Sequence, residues 1–370
     1  MKLALRAIAL TAVLAIEGHG AALAAGPDVV IGDIEDLSGV YSDNGIGSVE
    51  AAKMAIAASG GTVLGRNIVY LYADHQNKAD VAASKAREWA DQRGLNMLLG
   101  GANTAAAIAM AKIIAAKQVP YFVVGSGGAS LTNEDCTAYT VHYIYNTTAL
   151  ANGTAATIVR NGGKNLGAVR VPLQTSDFSS FVLQAQSSGA QVLGLANAGT
   201  DFTNSLKSAN EFGITKTMKP AGLLVFLNDI HGLGLRVAQG LYLTTPWYWD
   251  LNAETRAFGK RYFDKMKKQP TMIQAGAYSA TMSYLNAVKA AGTTDADPVM
   301  AQLKKMKIND MFTNSGYIRA DGLMIHDMYV MQVKSPQESK YPWDYYKVVK
   351  VMKGEEAFGP LTGLCPLAPK

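Results

Sequence analysis

The sequence predicts an α/β fold with two Rossmann-like lobes, each built on a parallel sheet. Three observations support this prediction. The chain has 370 residues, which is enough for two domains of ordinary size. From residue 26 onward, short apolar β-rich runs alternate with helical patterns, as is typical of βαβ units. The alternation occurs twice, because residues 60–80 resemble residues 162–181 and residues 98–105 resemble residues 193–200.

The first series predicts four strands that alternate with three helices. The pair Gly60-Gly61 ends the first helix. In chain order the predicted elements are strand 29–34, helix 48–58, strand 68–73, helix 79–92, strand 97–99, helix 105–117 and strand 120–124. A parallel sheet of this kind binds ligands at the carboxyl ends of its strands.

The second series predicts a similar but shorter set of elements, followed by a helix-rich portion and a β-like tail. It comprises helix 149–160, strand 166–173, helix 178–187, strand 191–195, helix 202–212 and strands 222–226 and 240–244. The remainder comprises helices 253–267 and 274–291, strands 316–319, 328–333 and 345–351, and a turn at Asp321-Gly322.

The internal repeat exposes a gap in the second series. Strand 29–34 precedes the first helix, but helix 149–160 has no strand of its own before it. The only candidate, residues 140–145, fits better as the crossover from the first lobe. We therefore predict that the second lobe is short of one strand-helix unit, which would open an edge in its parallel sheet.

The N-terminus and the two cysteines predict an exported protein. Lys2 is followed by an apolar run from residue 7 to 16, and Ala22–Ala24 fits the small-x-small rule of a signal peptidase site. Residues 1–25 are therefore predicted to be a signal peptide. In an oxidising compartment, Cys136 and Cys365 would form one disulfide, with two unpaired thiols as the alternative.

Composition and motifs argue against several functional classes. Hydrophobic residues make up 49% of the chain and charged residues 17%, which favours packed cores over disorder. The net charge of +5 is dispersed, so no nucleic-acid partner is predicted. The histidines outside the signal are isolated from one another, and nucleotide loops and catalytic motifs are absent. We predict neither an enzyme nor a bound cofactor or metal.

Seven segments, in the same order along the chain, resemble the ABC-transporter solute-binding proteins of the branched-chain amino acid (Leu/Ile/Val-binding-like) type. They are IGDIEDLSGVYSDNGIGSVEAAKMA (31–55), ADHQNKADVA (73–82), VPLQTSDFSSFVLQAQSSGAQVLGLANAGTD (171–201), AGLLVFLNDIHGLGL (221–235), YWDLNAETRAFGKRY (248–262), PTMIQAGAYSA (270–280) and DGLMIHDMYVMQVK (321–334). The resemblance implies the periplasmic binding protein type I fold, in which a multi-strand hinge joins the lobes.

The resemblance also implies a domain layout and shows one departure. Lobe 1 would comprise residues 26–146 and 250–316, lobe 2 residues 147–249 and 317–352, and the tail residues 353–370. Members of this family carry a further strand and a turn, often with an Ala-Asp-Tyr motif, whose aromatic residue faces the ligand. Here Lys164 runs straight into Asn165, so roughly 20–25 residues are missing by ordinary element lengths.

The resemblance places the first-lobe ligand groups on three loops that follow strands. We predict Tyr41 from the first loop and Asn103 and Thr104 from the second. The third loop contributes Ser126, Gly127 and Gly128. Because N–H groups and hydroxyls at helix N-termini suit a carboxylate, we expect this lobe to hold an anionic group. The alternative for each residue is an ordinary turn or cap.

The second-lobe candidates are Asn197 and Asp229, and a further candidate is Tyr278 in the part of the chain assigned to lobe 1. Asp229 aligns with the place where amino acid binders keep an acid for the ammonium group, and the alternative is a helix N-cap. Tyr278 is in a helix and is either a cleft residue or a core aromatic.

We therefore predict the substrate-binding component of an ABC importer. It would be a periplasmic monomer that binds an amino acid or aromatic carboxylate between its lobes and docks on the permease membrane subunits. Two alternatives remain: a sensory ligand-binding protein of the same fold, and a shortened paralogue with impaired binding.

Overall fold

The computed structural model describes residues 26–159 and 162–368, and the backbone alone for residues 155–159. The predicted signal peptide thus lies outside the described residues. The strands are β1 (Val29–Glu35), β2 (Thr62–Val63), β3 (Arg66–Asp74), β4 (Leu95–Gly100), β5 (Tyr121–Val123), β6 (Thr140–His142), β7 (Val192–Leu195), β8 (Lys219–Gly222), β9 (Tyr242–Thr245), β10 (Tyr317–Ile318), β11 (Met324–Ile325), β12 (Met328–Val333) and β13 (Tyr346–Met352).

The helices separate these strands as the alternating pattern predicts. They are α1 (Ser42–Ala58), α2 (Ala79–Gln92), α3 (Thr104–Ala116), α4 (Thr147–Val159), α5 (Ser179–Ser187), α6 (Gly199–Glu211), α7 (Leu227–Leu233), α8 (Leu235–Ala238), α9 (Ala253–Met266), α10 (Met272–Ala291), α11 (Ala296–Lys305) and α12 (Gly354–Phe358). The bounds of α2 and β12 are those predicted, whereas α1 begins six residues earlier than predicted.

Lobe 1 is built on a six-stranded sheet in the order β2-β3-β1-β4-β5-β6. Strand β1 lies in the middle and pairs in parallel with both β3 and β4, and all seven of its residues are buried. One face of the sheet packs on α1 and α10 and the other on α2 and α3, and both cores are apolar. Burial of both faces is what a parallel sheet requires.

Lobe 2 is built on a five-stranded sheet in the order β13-β12-β9-β8-β7. The strands β7, β8 and β9 are parallel, β12 pairs antiparallel with β9, and β13 pairs antiparallel with β12. Its separate core includes Phe202, Leu206 and Ile230, which are fully buried. Within the described ranges β7 pairs with β8 alone, so its other edge is open.

Two predicted strands of the second series are wrong. Residues 166–173 form no strand, because the sheet supplies no neighbour that could pair with them. Strand 222–226 is also wrong: β8 ends at Gly222, opposite the last residue of the four-residue β7, and the chain then leaves the sheet. A β-prone segment forms a strand only where a partner accepts its hydrogen bonds.

The C-terminal portion of the chain returns to lobe 1. The hairpin β10–β11, predicted as part of lobe 2, lies against β6, since Leu323 forms a parallel bridge with His142. Cys136 and Cys365 form a disulfide with 5.7 Å between their Cα atoms, which ties the C-terminal tail to the loop before β6.

Candidate ligand-binding site

A cavity of about 260 Å³ lies between the two lobes. Lobe 1 lines it with residues that follow β1, β4 and β5, at the carboxyl ends of these parallel strands. These are Glu35, Tyr41, Asn44, Gly45, Ala102, Asn103, Thr104, Gly125 and Gly127, with Ile273 from α10. The carboxyl edge of a parallel sheet is the usual place for a ligand.

The loop between β4 and α3 forms one polar wall of the cavity. The Asn103 side chain caps α3, because its Oδ1 accepts hydrogen bonds from the N–H groups of Ala105 (2.8 Å) and Ala106 (3.2 Å). Thr104 Oγ1 lies 2.9 Å from Ser126 Oγ, which joins this loop to the one after β5. Both loops are thereby held with the start of α3 at the cavity.

Glu35, the last residue of β1, adds an acid to the cavity. Its Oε2 accepts a hydrogen bond from the Ala102 N–H at 3.2 Å. Burial, and next the nearby charge of Asp33, raise the pKa of Glu35 well above its usual range. Burial thus favours the protonated form of Glu35 more than in an exposed glutamate.

The wall from lobe 2 is apolar and consists of Leu173, Leu224 and Phe226. Leu173 belongs to the irregular segment 162–178, which precedes α5, and it is 58% exposed. Phe226 comes directly before α7 and is buried. The cavity thus has a polar side from lobe 1 and an apolar side from lobe 2.

Four of the predicted site residues line the cavity, namely Tyr41, Asn103, Thr104 and Gly127. Ser126 and Gly128 lie beside it and contact Thr104. Asn197 donates hydrogen bonds to Asp201 O and Ser205 Oγ within lobe 2.

Two further predicted residues lie outside the cavity lining. Asp229 lies in the first turn of α7, where its carboxyl accepts a hydrogen bond from the N–H of Phe226, the N-cap residue, at 2.9 Å; Asp229 is therefore not itself the N-cap. Its burial raises its pKa to about 7. Tyr278 is buried against Phe258, with 5.0 Å between the ring centroids.

The lobes also touch beside the cavity. A Cβ atom at Gly199 would lie 3.0 Å from Val40 O and 3.5 Å from the Tyr41 ring. Gly199 also has a φ of +59°, a left-handed conformation that glycine adopts without strain. Burial and then the charge of Asp201 raise the pKa of the Tyr41 phenol, so Tyr41 of lobe 1 lies near an acid of lobe 2.

Sequence reasoning missed several lining residues, chiefly Glu35, Asn44, Leu173, Leu224 and Phe226. The sequence indicated Glu35, since a charged residue at the end of an apolar strand needs a hydrogen-bonding or charged partner, or belongs to a functional site. No such signal pointed to Leu173, because it was expected inside a strand.

Three comparisons with known proteins bear on this site. The family model for periplasmic binding proteins matches residues 28–167 and 153–340. The two matches overlap at 153–167, where the second series is one unit short. A search of curated protein sequences finds no match. None of the described helices is both long and apolar enough to cross a membrane.

Solved structures confirm the predicted two-lobed fold. A periplasmic binding protein from Burkholderia mallei is 54% identical with a TM-score of 0.88, over 92% of this chain and 99% of that one. A branched chain amino acid ABC transporter periplasmic ligand-binding protein from Burkholderia xenovorans LB400 is 36% identical with a TM-score of 0.84, over 92% and 100%.

A more distant structure shares the fold alone. It is an ABC-transporter solute-binding protein from Rhodopseudomonas palustris BisB5 in complex with 3,4-dihydroxy benzoic acid, 20% identical with a TM-score of 0.80, over 88% of this chain and 98% of that one. Together with the family model, the two closer Burkholderia structures place the chain. It belongs to the periplasmic binding protein family, among the ABC-transporter solute-binding proteins of the branched-chain amino acid type.

Proposed function

We propose that the protein captures a small carboxylate, either an amino acid or an aromatic acid, and presents it to the membrane subunits of an ABC importer. The observation that supports this proposal is the cavity of about 260 Å³ between the lobes, polar on one side and apolar on the other. A ligand that contacts both lobes binds the closed state better than the open one, and so drives closure.

The polar side suits the carboxylate head. The start of α3 lies at the cavity with the Thr104 hydroxyl, although the Asn103 side chain already accepts the hydrogen bonds of the Ala105 and Ala106 N–H groups. A helix N-terminus attracts negative charge through its partial positive charge. The raised pKa of Glu35 favours its protonated form, which lessens its repulsion of an anion.

The choice of ligands rests on the relatives. The Burkholderia xenovorans protein is described as part of a branched chain amino acid transporter, and the Rhodopseudomonas palustris protein is bound to an aromatic acid. Both classes combine a carboxylate with an apolar body. We further propose that residues 1–25 direct export to the periplasm, where the protein acts as a monomer.

A second candidate function follows from the irregular segment 162–178. Because a family strand is missing there, the lobe-2 wall rests on Leu173 and its neighbours instead of on a sheet. A shortened paralogue with impaired binding would have this architecture.

Thermal unfolding of the protein, purified from the periplasm of an expression host, tests these proposals. A ligand at 100 times its dissociation constant should add about 2.7 kcal/mol to the free energy of unfolding. A rise in melting temperature with leucine, valine, benzoate or 4-hydroxybenzoate would support the proposal. A cooperative melt that none of them raises would favour the shortened paralogue. The mass of the purified chain would show whether it begins near Ala25.

A further inference from the structure

The segment 162–178 carries two leucines of equal exposure in different surroundings. Leu166 and Leu173 are both 58% exposed, so each leaves more than half of its surface to solvent. Leu173 lines the cavity between the lobes, whereas Leu166 does not. When a ligand covers a half-exposed apolar side chain at a cavity, apolar surface is removed from water and the complex is stabilised.

Leu173 is held in place although no strand supports it. The Gln174 N–H donates to Asp201 Oδ2 at 3.0 Å, and the Thr175 hydroxyl donates to Pro172 O at 2.6 Å. Asp201 is buried in the first turn of α6, so the turn 172–175 is anchored to the frame of lobe 2. A backbone fixed in this way can place Leu173 as a wall of the cavity, because the turn need not be ordered when a ligand binds.

The other lobe-2 residues at the cavity have the same character. Leu224 and Phe226 are apolar, and the carboxylate of Asp229 is occupied in its helix cap. Lobe 2 therefore offers the ligand only apolar contact in this part of the cavity, and the polar contacts come from lobe 1.

We propose that Leu173 is a specificity-determining residue, which replaces the missing strand's part of the cleft and selects carboxylates with an apolar body over those with a short polar one. The inference rests on the proposed function and names its substrate class more narrowly. Closing of lobe 2 onto the ligand buries Leu173, so affinity rises with the apolar area that the ligand presents to it.

Isothermal titration of the full-length secreted protein tests this, with leucine, serine, benzoate and 4-hydroxybenzoate as probes. Leucine and serine share one head group and differ in their apolar area. We expect the wild type to bind an apolar member of the panel at least tenfold more tightly than serine. Leu173→Ala should weaken that binding about tenfold, a typical effect of removing part of an apolar contact. Leu166→Ala, matched in exposure and segment, should change it less than twofold.

Three outcomes would overturn the inference in distinguishable ways. If an apolar ligand binds and Leu173→Ala leaves its affinity unchanged, the inference fails and the proposed function stands. If Leu166→Ala weakens binding as much as Leu173→Ala, the effect belongs to the segment and the inference fails. If the wild type binds no probe, the proposed function fails and takes the inference with it. Leu173→Met, which preserves volume, should retain binding within about threefold and guards against a folding artefact.

Discussion

The two lobes are built from the same alternation of strands and helices but differ at the centre of their sheets. In lobe 1, β1 lies between β3 and β4 and pairs with both. In lobe 2, β7 is the counterpart of β4 and residues 166–173 are the counterpart of β3, but the described residues contain no counterpart of β1. As a result, β7 has one neighbour and residues 166–173 have none.

The comparison shows how much a parallel sheet depends on its central strand. Residues 66–74 and 166–173 are similar in sequence, yet only the first form a strand. Residues 66–74 form a strand because neighbouring strands share hydrogen bonds with them. Strand propensity alone mainly reflects how well a segment fits a pleated surface. Lobe 2 remains packed because β12 and β13 extend its sheet on the other side.

The largest expected loss of stability comes from removing one large buried side chain from the core of either lobe. Phe122 of β5 in lobe 1 and Phe202 of α6 in lobe 2 are both fully buried. Replacing either with alanine leaves a cavity and should lower the free energy of unfolding by about 3–5 kcal/mol. If the lobes unfold separately, hydrogen exchange will show each variant accelerating exchange mainly in its own sheet.

The same experiment compares the lobes in the wild type. We expect amides of β7 to exchange before those of β1, because one edge of β7 is open. Equal protection of β7 and β1 would contradict the idea that the missing strand weakens lobe 2.

Reduction of the disulfide should act on lobe 1 in preference to lobe 2. The bond between Cys136 and Cys365 spans 229 residues of sequence and attaches the tail to the loop before β6. Its loss should cost about 2–5 kcal/mol, largely by freeing the unfolded chain. Denaturation of the Cys136→Ser, Cys365→Ser double variant would measure this, and an equal loss of protection in β7 and β8 would argue against a lobe-1 effect.

Each lobe contains a buried aspartate whose raised pKa should make its stability depend on pH. Burial raises the pKa of Asp33 in lobe 1 and of Asp229 in lobe 2 to about 7 in each case. In the unfolded chain both groups ionise near the ordinary value of 3.8, while the folded lobes retain the proton. The free energy of unfolding should therefore fall as pH rises from about 4 to about 7, and the contribution of these groups is flat above that.

Asparagine at either position removes that group's contribution and keeps an acceptor for its hydrogen bond, from the Tyr70 hydroxyl or the Phe226 N–H. A single group contributes a slope of about 1.4 kcal/mol per pH unit in this window. Asp229→Asn should reduce the slope of the pH profile of lobe 2 and Asp33→Asn that of lobe 1, where Glu35, whose pKa is also raised, keeps part of the slope, as followed by hydrogen exchange. Profiles that keep their full slope would show that these carboxyls are ionised in the folded protein.

Sequence reasoning predicted the family, the two-lobed fold and the bounds of elements such as α2 and β12, because periodic apolar runs determine them locally. It also located the gap, since one repeat could be measured against the other. It wrongly placed residues 166–173 in a strand, because the sequence of a segment does not show whether a neighbouring strand is present to pair with it.

The predicted site residues also line the cavity more often in lobe 1 than in lobe 2. Tyr41, Asn103, Thr104 and Gly127 follow strands of the complete sheet, where the family pattern applies, and all four line the cavity. Lobe 2 behaves differently, because the strand that would present its ligand residue is absent and the irregular segment replaces it. The polar candidates Asn197 and Asp229 instead bond within their own lobe.

The smallest expected effect concerns the contact that joins the lobes. The Asn228 side chain of α7 donates to the Asp43 carboxylate of α1, which also pairs with Lys268 of lobe 1. Asn228→Ala removes the one bond of this set that crosses the cleft, and leaves both lobes intact. An exposed hydrogen bond contributes about 0.5–1.5 kcal/mol, so ligand affinity should fall about twofold to tenfold.

Because Asn228 lies outside the cavity lining, its loss would act through closure and not through ligand contact. It should therefore weaken every bound ligand by the same factor, whereas Leu173→Ala should discriminate among them. Lys260→Ala, which breaks an exposed pair with Asp264 within α9, is the matched control and should leave affinity unchanged. If Asn228→Ala weakens the binding of some ligands more than others, both lobes contribute to ligand selectivity at this edge of the cleft.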